Sequence, residues 1–493
     1  MSGVLGTEAY TNYFDVHGQY RQGAITGSMP AGSVLGTVIS FFIANGISRR
    51  TWIQVAAVVW IIGSILQTAS NGIPLLIVGR ITAGVGIGIA STMVPVYQAE
   101  IAPKEIRGRV VSLQQWAITW GILIQYFIQY GASFTGGGAN NVHQGTEAFR
   151  IPWAVQIVPA AVLFVGMFFM PYTPRWLAAH DRWEEAIRVL ANLHGNGDIG
   201  HPNVLAQYRE IEEVLRFERE EAVNAWRALT KPRMLNRVIL GMSIQMWSQI
   251  GGINTMMYYI VYLMQSAGIG DPLLTASIQY ILNVALTLPA IFFLDTWGRR
   301  SSLLFGSVGQ GLCLFLVGAL EGIYGRPNTH EDPNLDAISW VLEGHPNASR
   351  AVIAFSYLFV CVFAMTWGPT SWVYASEIFP SGIRAKAVSL STASNWMWSC
   401  AIGFAVPPVL WSINWKIYMV FGAFNVLAFI HVFFAAPETK GKTLEEMEDV
   451  FDANKPPWQR RFSGSRLDAI QRDIENGDLK IMPPLELTDS NYA

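Results

Sequence analysis

The sequence predicts an all-α, multi-pass membrane protein built from two copies of one helix bundle, and three observations carry that prediction. Charged residues make up 14% of the 493 and hydrophobic residues 51%, whereas soluble chains carry about 25% charge. Apolar runs long enough to cross a hydrocarbon core, about 17 to 25 residues each, recur along most of the chain. One motif also occurs twice, VYQAEIAPKEIRG at 96–108 and VYASEIFPSGIRA at 373–385, with Val, Tyr, Glu, Ile, Pro, Ile and Arg at identical spacing. Chance rarely produces that agreement, so the chain reads as a duplicated design.

Taken in order, the runs fall at 26–48, 52–70, 75–98, 112–130, 153–171, 237–265, 274–294, 301–322, 351–376, 389–412 and 416–436. Four spans precede the second copy of the motif within its half, but only three precede the first copy. A twelfth helix is therefore expected upstream. On this reading Met1 is an internal methionine, MSGVLG holds the last turns of the first helix, and both termini are cytoplasmic; a true eleven-span chain is the alternative. Arg49, Arg50, Lys104, Arg107, Arg109, Arg299, Arg300, Arg384, Lys386, Lys440 and Lys442 all lie in alternate connections, which the positive-inside rule places in the cytoplasm.

The expected organisation is an N-terminal bundle at 1–177, a helical intracellular linker at 178–236, a C-terminal bundle at 237–444 and a disordered cytoplasmic tail at 445–493. Gly136 to Gly138 and Asn140 mark a flexible outer loop. In the linker, Asp181 is expected to cap a helix with Glu184 three residues on, Trp183, Ile187 and Leu190 on its apolar face and Gly195 as its stop. Leu205, Tyr208, Ile211 and Leu215 form a second stripe. The sequon Asn347-Ala348-Ser349 falls in a loop that the alternation places outside.

The net charge of −2 argues against a nucleic-acid partner. Cys313, Cys361 and Cys400 each lie inside an apolar span, where no metal or disulfide spacing exists. No basic region ahead of a short apolar run marks a cleavable signal peptide. No paired acid, nucleophile or metal set lies within one site, so an enzyme is not expected, and no cofactor is implied.

Polar residues inside spans are costly unless they line a cavity or pair. Gln115, Gln245, Gln249, Asn254, Asn283, Trp372 and Asn395 stand out, and all are neutral. Amides donate and accept, which suits a ligand made of hydroxyl groups, and an indole face suits the C–H face of a pyranose. Intramembrane amides also glue helices together, so each carries both readings. Gly251-Gly252 and Gly368-Pro369 are expected helix breaks. Arg80 is a deep cation in GRITAGVGIGIAS, with no obvious partner in the N-terminal spans; the small residues around it permit close helix approach. His431 reads as a packing residue. Tyr258 and Tyr259 read as an outer gate or as packing. At the cytoplasmic ends Glu100 with Arg107, and Glu377 with Arg384, are expected to pair, with Arg49, Arg50, Arg299 and Arg300 as further cations of a two-part latch that holds one conformation.

The motifs GRITAGVGIG, PVYQAEIAPKEIRG, PRWL, the GIN and YY around Asn254, DTWGRR, GPTSWVYASEIFP and PETKGKTLEE occur in that order. On them the chain, from its first residue to about Leu444, resembles the sugar porter family of the major facilitator superfamily, and most closely its fungal hexose transporters. The resemblance implies two six-helix bundles that rock about a midplane sugar site, with a monosaccharide and, in some members, protons as the transported partners. It assigns sugar contact to Gln115, Gln249, Asn254, Asn283, Trp372 and Asn395. Gln245 is not a family site position.

Departures from the family pattern are specific. Ser248 stands where a second glutamine precedes Gln249. The Asp-Arg-x-Gly-Arg-Arg loop reads NGISRR, with Asn45 and Ser48, and PESPR reads PYTPR, with Tyr172. Both latter changes remove an acid from the N-terminal latch. The second half keeps Asp295, Glu377 and Arg384, so its latch is expected to dominate. The family's proton-coupled members pair a first-helix Asp with the arginine matched by Arg80; that Asp is absent from this sequence, which leaves symport and facilitated diffusion both open. A sugar receptor that binds without transport, and an inactive truncated product, are the competing functions.

Overall fold

Glycine and proline decide where the apolar runs bend, and van der Waals packing of small residues decides which runs touch. The computed structural model describes residues 8–14, 19–43, 46–103, 106–135, 144–220, 232–258, 260, 263–264, 272–327, 340–342, 344–380, 383–441, 447–452 and 456–457. A short helix α1 (Glu8–Phe14) precedes α2 (Gln19–Ile43), α3 (Arg49–Thr68), α4 (Ile73–Ile101) and α5 (Arg107–Ser133). The fifth expected span of the first half is split into α6 (Glu147–Val155) and α7 (Ile157–Gly166). Pro159 explains the split, because its ring cannot be accommodated against the carbonyl of Val155, one turn back.

Glycines set the closest packing of the first bundle. A side chain on Gly32, Gly36, Gly84 or Gly88 would collide with backbone of the opposite helix of the α2–α4 pair, which is the close approach expected from GVGIG. The interface leaves Arg80 buried, donating through Nε to Ile25 O at 2.8 Å and Ser28 Oγ at 3.1 Å. The expectation that α2–α4 offer it no partner is thereby corrected. A helix carbonyl is an unobvious acceptor in sequence, because Ser28 hydrogen-bonds the same Ile25 carbonyl.

Helix α8 (Pro174–Ala179) straddles the expected boundary at 177, and α9 (Trp183–His194) and α10 (Pro202–Glu220) follow within the expected linker. Leu177, Ile187, Leu190, Val204, Tyr208 and Ile211 share one small core, with Trp183 and Leu215 packed against it. Gly195 ends α9 as expected, but Arg182 rather than Asp181 occupies its N-cap position, and no side chain caps it. Asp181 instead turns the chain at φ 60°, and Arg182 bonds Glu185 at 2.8 Å.

The second half contains α11 (Pro232–Ile250), α12 (Ile253–Tyr258), α13 (Pro272–Trp297), α14 (Arg299–Tyr324), the pairing strands β1 (Arg326–Pro327) and β2 (Trp340–Val341), α15 (Pro346–Met365), α16 (Trp367–Glu377), α17 (Arg384–Ile413) and α18 (Lys416–Ala435). Asn347 is exposed in the first turn of α15, directly after Pro346, and not in a loop. The tail expected to be disordered from 445 begins with α19 (Met447–Asp452), in which Met447 and Val450 are fully buried and Phe451 lies under the Arg237 guanidinium, 4.6 Å away. MSGVLG, Gly136 to Gly138, Asn140 and the tail beyond 457 lie outside the described residues.

Nine helical stretches among the described residues are long and apolar enough to cross a membrane. Helix α5 is not among them: it carries Gln114, Gln115, Gln125 and Gln129, of which Gln114, Gln115 and Gln129 are buried, so its polar residues turn inward. The 27 residues of α5 still span about 40 Å at 1.5 Å each.

Candidate functional site

Two helix breaks frame the site. Between α11 and α12 the chain turns at Gly251 and Gly252, and Gly252 takes φ +105°, a conformation that glycine adopts without steric cost. Between α15 and α16 the break falls at Thr366, with φ −129° and ψ −89°. Pro369 accounts for its position, because the ring excludes a regular turn back to the carbonyl of Met365.

The first break places two amides within reach of a third. Gln249 Nε2 donates to Asn395 Oδ1 at 2.6 Å, and Asn254 Nδ2 donates to Gln249 Oε1 at 2.7 Å. The order Asn254, Gln249, Asn395 thus forms one relay across α12, α11 and α17. Register is fixed alongside it: Ser394 Oγ donates to Met242 O at 2.9 Å, holding α17 against α11 one residue from Asn395. Gln245, one turn before Gln249, donates through Nε2 to Ser371 O at 3.2 Å, which ties α11 to α16 beside buried Trp372. Gln245 therefore braces the backbone that carries the indole.

Gln115 reaches the second break from the other bundle. A side chain on Gly368 would lie 3.3 Å from Gln115 Nε2, so glycine there leaves room for the amide, one turn from Trp372. Asn283 is buried on α13 and its Oδ1 has no hydrogen-bond partner among the described residues; it shares no hydrogen bond with the relay. Ser248 is buried beside Gln249. The set is uncharged, and Asn254, Gln249 and Asn395 satisfy one another. A hydroxyl ligand can exchange into such a relay as both donor and acceptor, so binding need not strand a buried polar group. His431 accepts from Trp247 Nε1 at Nδ1, 3.3 Å away, which fits packing. The Tyr258 side chain, Tyr259 and the Asp295 side chain lie outside the described residues.

The arginine-rich end differs from expectation in its partners. Glu100 pairs with Arg49 at 3.4 Å, not with Arg107, and Glu377 pairs with Arg299, not with Arg384. Arg384 points its Nε at Phe379 O, 3.1 Å away. The carboxylates reach past their own motif because Arg49 and Arg299 open helices α3 and α14, whose first turns pack against the ends of α4 and α16. In both halves a tyrosine anchors the segment that follows the last span: Tyr97 Oη donates to Pro171 O at 2.8 Å and Tyr374 Oη to Pro437 O at 3.1 Å. Glu438 and Thr439 were not foreseen as latch residues. Thr439 Oγ1 donates to Glu377 Oε2 at 2.9 Å, and the Glu438 carboxylate accepts the backbone N–H groups of Arg299 and Arg300 at 2.8 and 3.1 Å.

The family model described as "Sugar (and other) transporter" matches residues 5–451. An Aspergillus flavus protein described as an MFS glucose transporter, mfs1, is 63% identical over 489 residues, covering 99% of this chain and 92% of that one. A Kluyveromyces lactis high-affinity glucose transporter is 42% identical over 93% of this chain and 82% of its own length. A Saccharomyces cerevisiae high glucose sensor, RGT2, is 34% identical over 85% of this chain and 53% of its own. Among solved structures, the proton:xylose symporter XylE of E. coli bound to 6-bromo-6-deoxy-D-glucose superposes with a TM-score of 0.76 at 25% identity, over 92% of this chain and 95% of that one. The chain belongs to the Sugar (and other) transporter family: it is a multi-pass, all-α membrane transporter with the major facilitator fold, and not an enzyme.

Proposed function

We propose that the protein carries a neutral hexose across the membrane by alternating access, binding it where the Asn254–Gln249–Asn395 relay faces Gln115 between the bundles. The uncharged relay at a helix break, with Asn254 and Asn395 buried and Gln249 half-buried, is the observation that carries this reading, since it offers hydroxyl-matching donors and acceptors and no counter-charge. Trp372 supplies the stacking face and Asn283 an unpaired acceptor. The glucose-transporting relatives support the substrate class. Transport is favoured over sensing because the glucose transporter relative is 63% identical and the sensor 34%. The arginine-rich end and the C-terminal segment face the cytoplasm of a plasma-membrane protein, and exposed Asn347 on the opposite face is a glycan acceptor.

Uptake of labelled glucose by cells lacking their own hexose carriers tests the proposal. Saturable uptake that unlabelled hexoses compete away is expected; equal uptake by expressing and empty cells would contradict it. Measuring the same uptake against external pH separates the modes of coupling. A symporter loses uptake as external pH rises, and a uniporter does not.

A further inference from the structure

The break at Gly251-Gly252 interrupts the backbone ladder of a span, and in hydrocarbon every freed carbonyl needs a donor. Met256 N–H recovers Gly252 O at 3.1 Å. The carbonyl of Gly251 is taken from outside the helix, by Asn425 Nδ2 of α18 at 2.9 Å; the same amide also donates to Phe421 O at 2.9 Å. Asn425 is buried with Gly251 packed against it: a side chain on that glycine would lie 3.4 Å from Asn425 Oδ1. One amide from the last span therefore holds the turn from which α12 departs.

A second brace grips α12 from α13. Gln279 Nε2 donates to Met256 O at 3.4 Å and Tyr280 Oη to Met257 O at 2.8 Å. These carbonyls lie two and three residues beyond Asn254, the first member of the relay. Tyr280 has a second contact, made by its ring. It packs on Tyr126 of α5, in the other bundle, with centroids 4.6 Å apart and planes at 36°, and both residues are buried. Tyr126 lies eleven residues after Gln115, hence on the same face of α5 and about 16 Å further from the arginine-rich end. Tyr280 lies three residues before Asn283 on α13, again on the far side of the site.

We infer that Asn425 and Tyr280 are positioning residues for sugar binding: Asn425 fixes the helix break, and Tyr280 couples bundle closure at Tyr126 to the segment that carries Asn254. Among the described residues neither hydrogen-bonds to Asn254, Gln249 or Asn395. When the bundles meet at the Tyr126–Tyr280 pair, the Tyr280 hydroxyl holds Met257 and keeps Asn254 within 2.7 Å of Gln249. When they part on that side, the hold relaxes and the relay opens to exchange sugar.

This inference rests on the relay being the sugar site, and the test separates the two. Hexose KM and Vmax are measured in cells for wild type and for Asn254→Ala, Tyr280→Phe, Tyr126→Ala and Asn425→Leu, with surface abundance read from a fluorescent tag. Tyr280→Phe keeps the ring and its stack and loses only the hydroxyl; KM is expected to rise about 5- to 10-fold, the loss of one buried hydrogen bond, at unchanged abundance. Asn425→Leu is expected to raise KM likewise. Combining Tyr280→Phe with Tyr126→Ala is expected to raise KM by less than the product of the single effects, because both break one chain of contacts. If Asn254→Ala abolishes uptake while Tyr280→Phe and Asn425→Leu keep the wild-type KM, or lower only Vmax in step with abundance, the inference is overturned and the sugar site stands. If Tyr126→Ala and Tyr280→Phe multiply independently, the coupling to bundle closure is overturned. If Asn425→Leu fails to reach the surface, Tyr280→Phe alone decides. If Asn254→Ala leaves KM unchanged, the site proposal falls, and the inference with it.

Discussion

The two halves carry corresponding ion-pair clusters at their arginine-rich ends, built from different chemistry. In the C-terminal half both oxygens of Glu377 are engaged, by Arg299 at 2.8 and 3.1 Å and by Thr439 at 2.9 Å. In the N-terminal half Glu100 makes one contact of 3.4 Å to Arg49, and its Oε2 is buried without a hydrogen-bond partner. The helix that opens after the arginine-rich turn differs as well. At α14 the N-cap is Gly298 at φ +90°, and the first amides are filled from a distance by Glu438. At α3 the N-cap is Ser48, whose own Oγ accepts from Thr51 N at 3.1 Å. Tyr172 stands at the position corresponding to Glu438, with the Arg50 guanidinium 4.9 Å from its ring centre and that of Arg182 5.6 Å away.

Two departures seen in sequence thus belong together. Ser48 caps its helix locally, so no acid is needed across the gap, and an aromatic face holds the cation instead. In the other half a side chain on Gly298 would collide with Glu438, so the distant cap and the glycine require each other. A cap supplied locally survives separation of the two segments; a cap supplied from a distance is lost. The C-terminal cluster is therefore expected to resist opening more strongly.

The largest difference is expected from stranding a charge. Glu377→Gln takes two contacts of 2.8 and 3.1 Å from buried Arg299 and is expected to destabilise by about 3–5 kcal/mol, whereas Glu100→Gln takes a single 3.4 Å contact from buried Arg49 and is expected to cost less. Melting of the detergent-solubilised protein compares them, and equal shifts would erase the asymmetry. Next comes the cap. Glu438→Ala frees the Arg299 and Arg300 amides together, about 2–3 kcal/mol, while Ser48→Ala costs about 1 kcal/mol; the same melting assay is expected to rank them in that order. The smallest effect is a transplant. Tyr172→Glu with Ser48→Gly rebuilds the C-terminal arrangement in the N-terminal half and exchanges a cation–π contact of about 0.5–1 kcal/mol for a distant cap. Vmax is expected to fall about twofold with KM unchanged, and a raised Vmax would reverse the account of which latch holds harder.

What sequence revealed was local or periodic. The spans, the breaks at Gly251-Gly252 and before Pro369, and the apolar stripes of Ile187, Leu190, Tyr208 and Ile211 all follow from spacing along the chain. Within the site, Gln249, Asn254 and Asn395 stood out as neutral amides in apolar runs, and the structure links them by hydrogen bonds. What stayed hidden depends on a partner far away in sequence. Nothing within VYQAEIAPKEIRG says that Glu100 prefers Arg49 to Arg107, since helix packing sets that choice. Asn425 looks like an isolated amide until the Gly251 carbonyl is placed beside it. Arg80 shows no obvious partner in the N-terminal spans, and the structure supplies one in the main-chain oxygen of Ile25. Asp181 had the composition of a cap but entered the left-handed region, which left Arg182 in the cap position.

The central claim is that a neutral amide relay at the α11–α12 break holds the sugar. Its most direct test is the hexose KM of Asn254→Ala against wild type at matched surface abundance. The account predicts loss of saturable uptake, or a KM raised at least about tenfold, as expected when a ligand hydroxyl loses a buried hydrogen-bond partner; an unchanged KM with normal Vmax would contradict it.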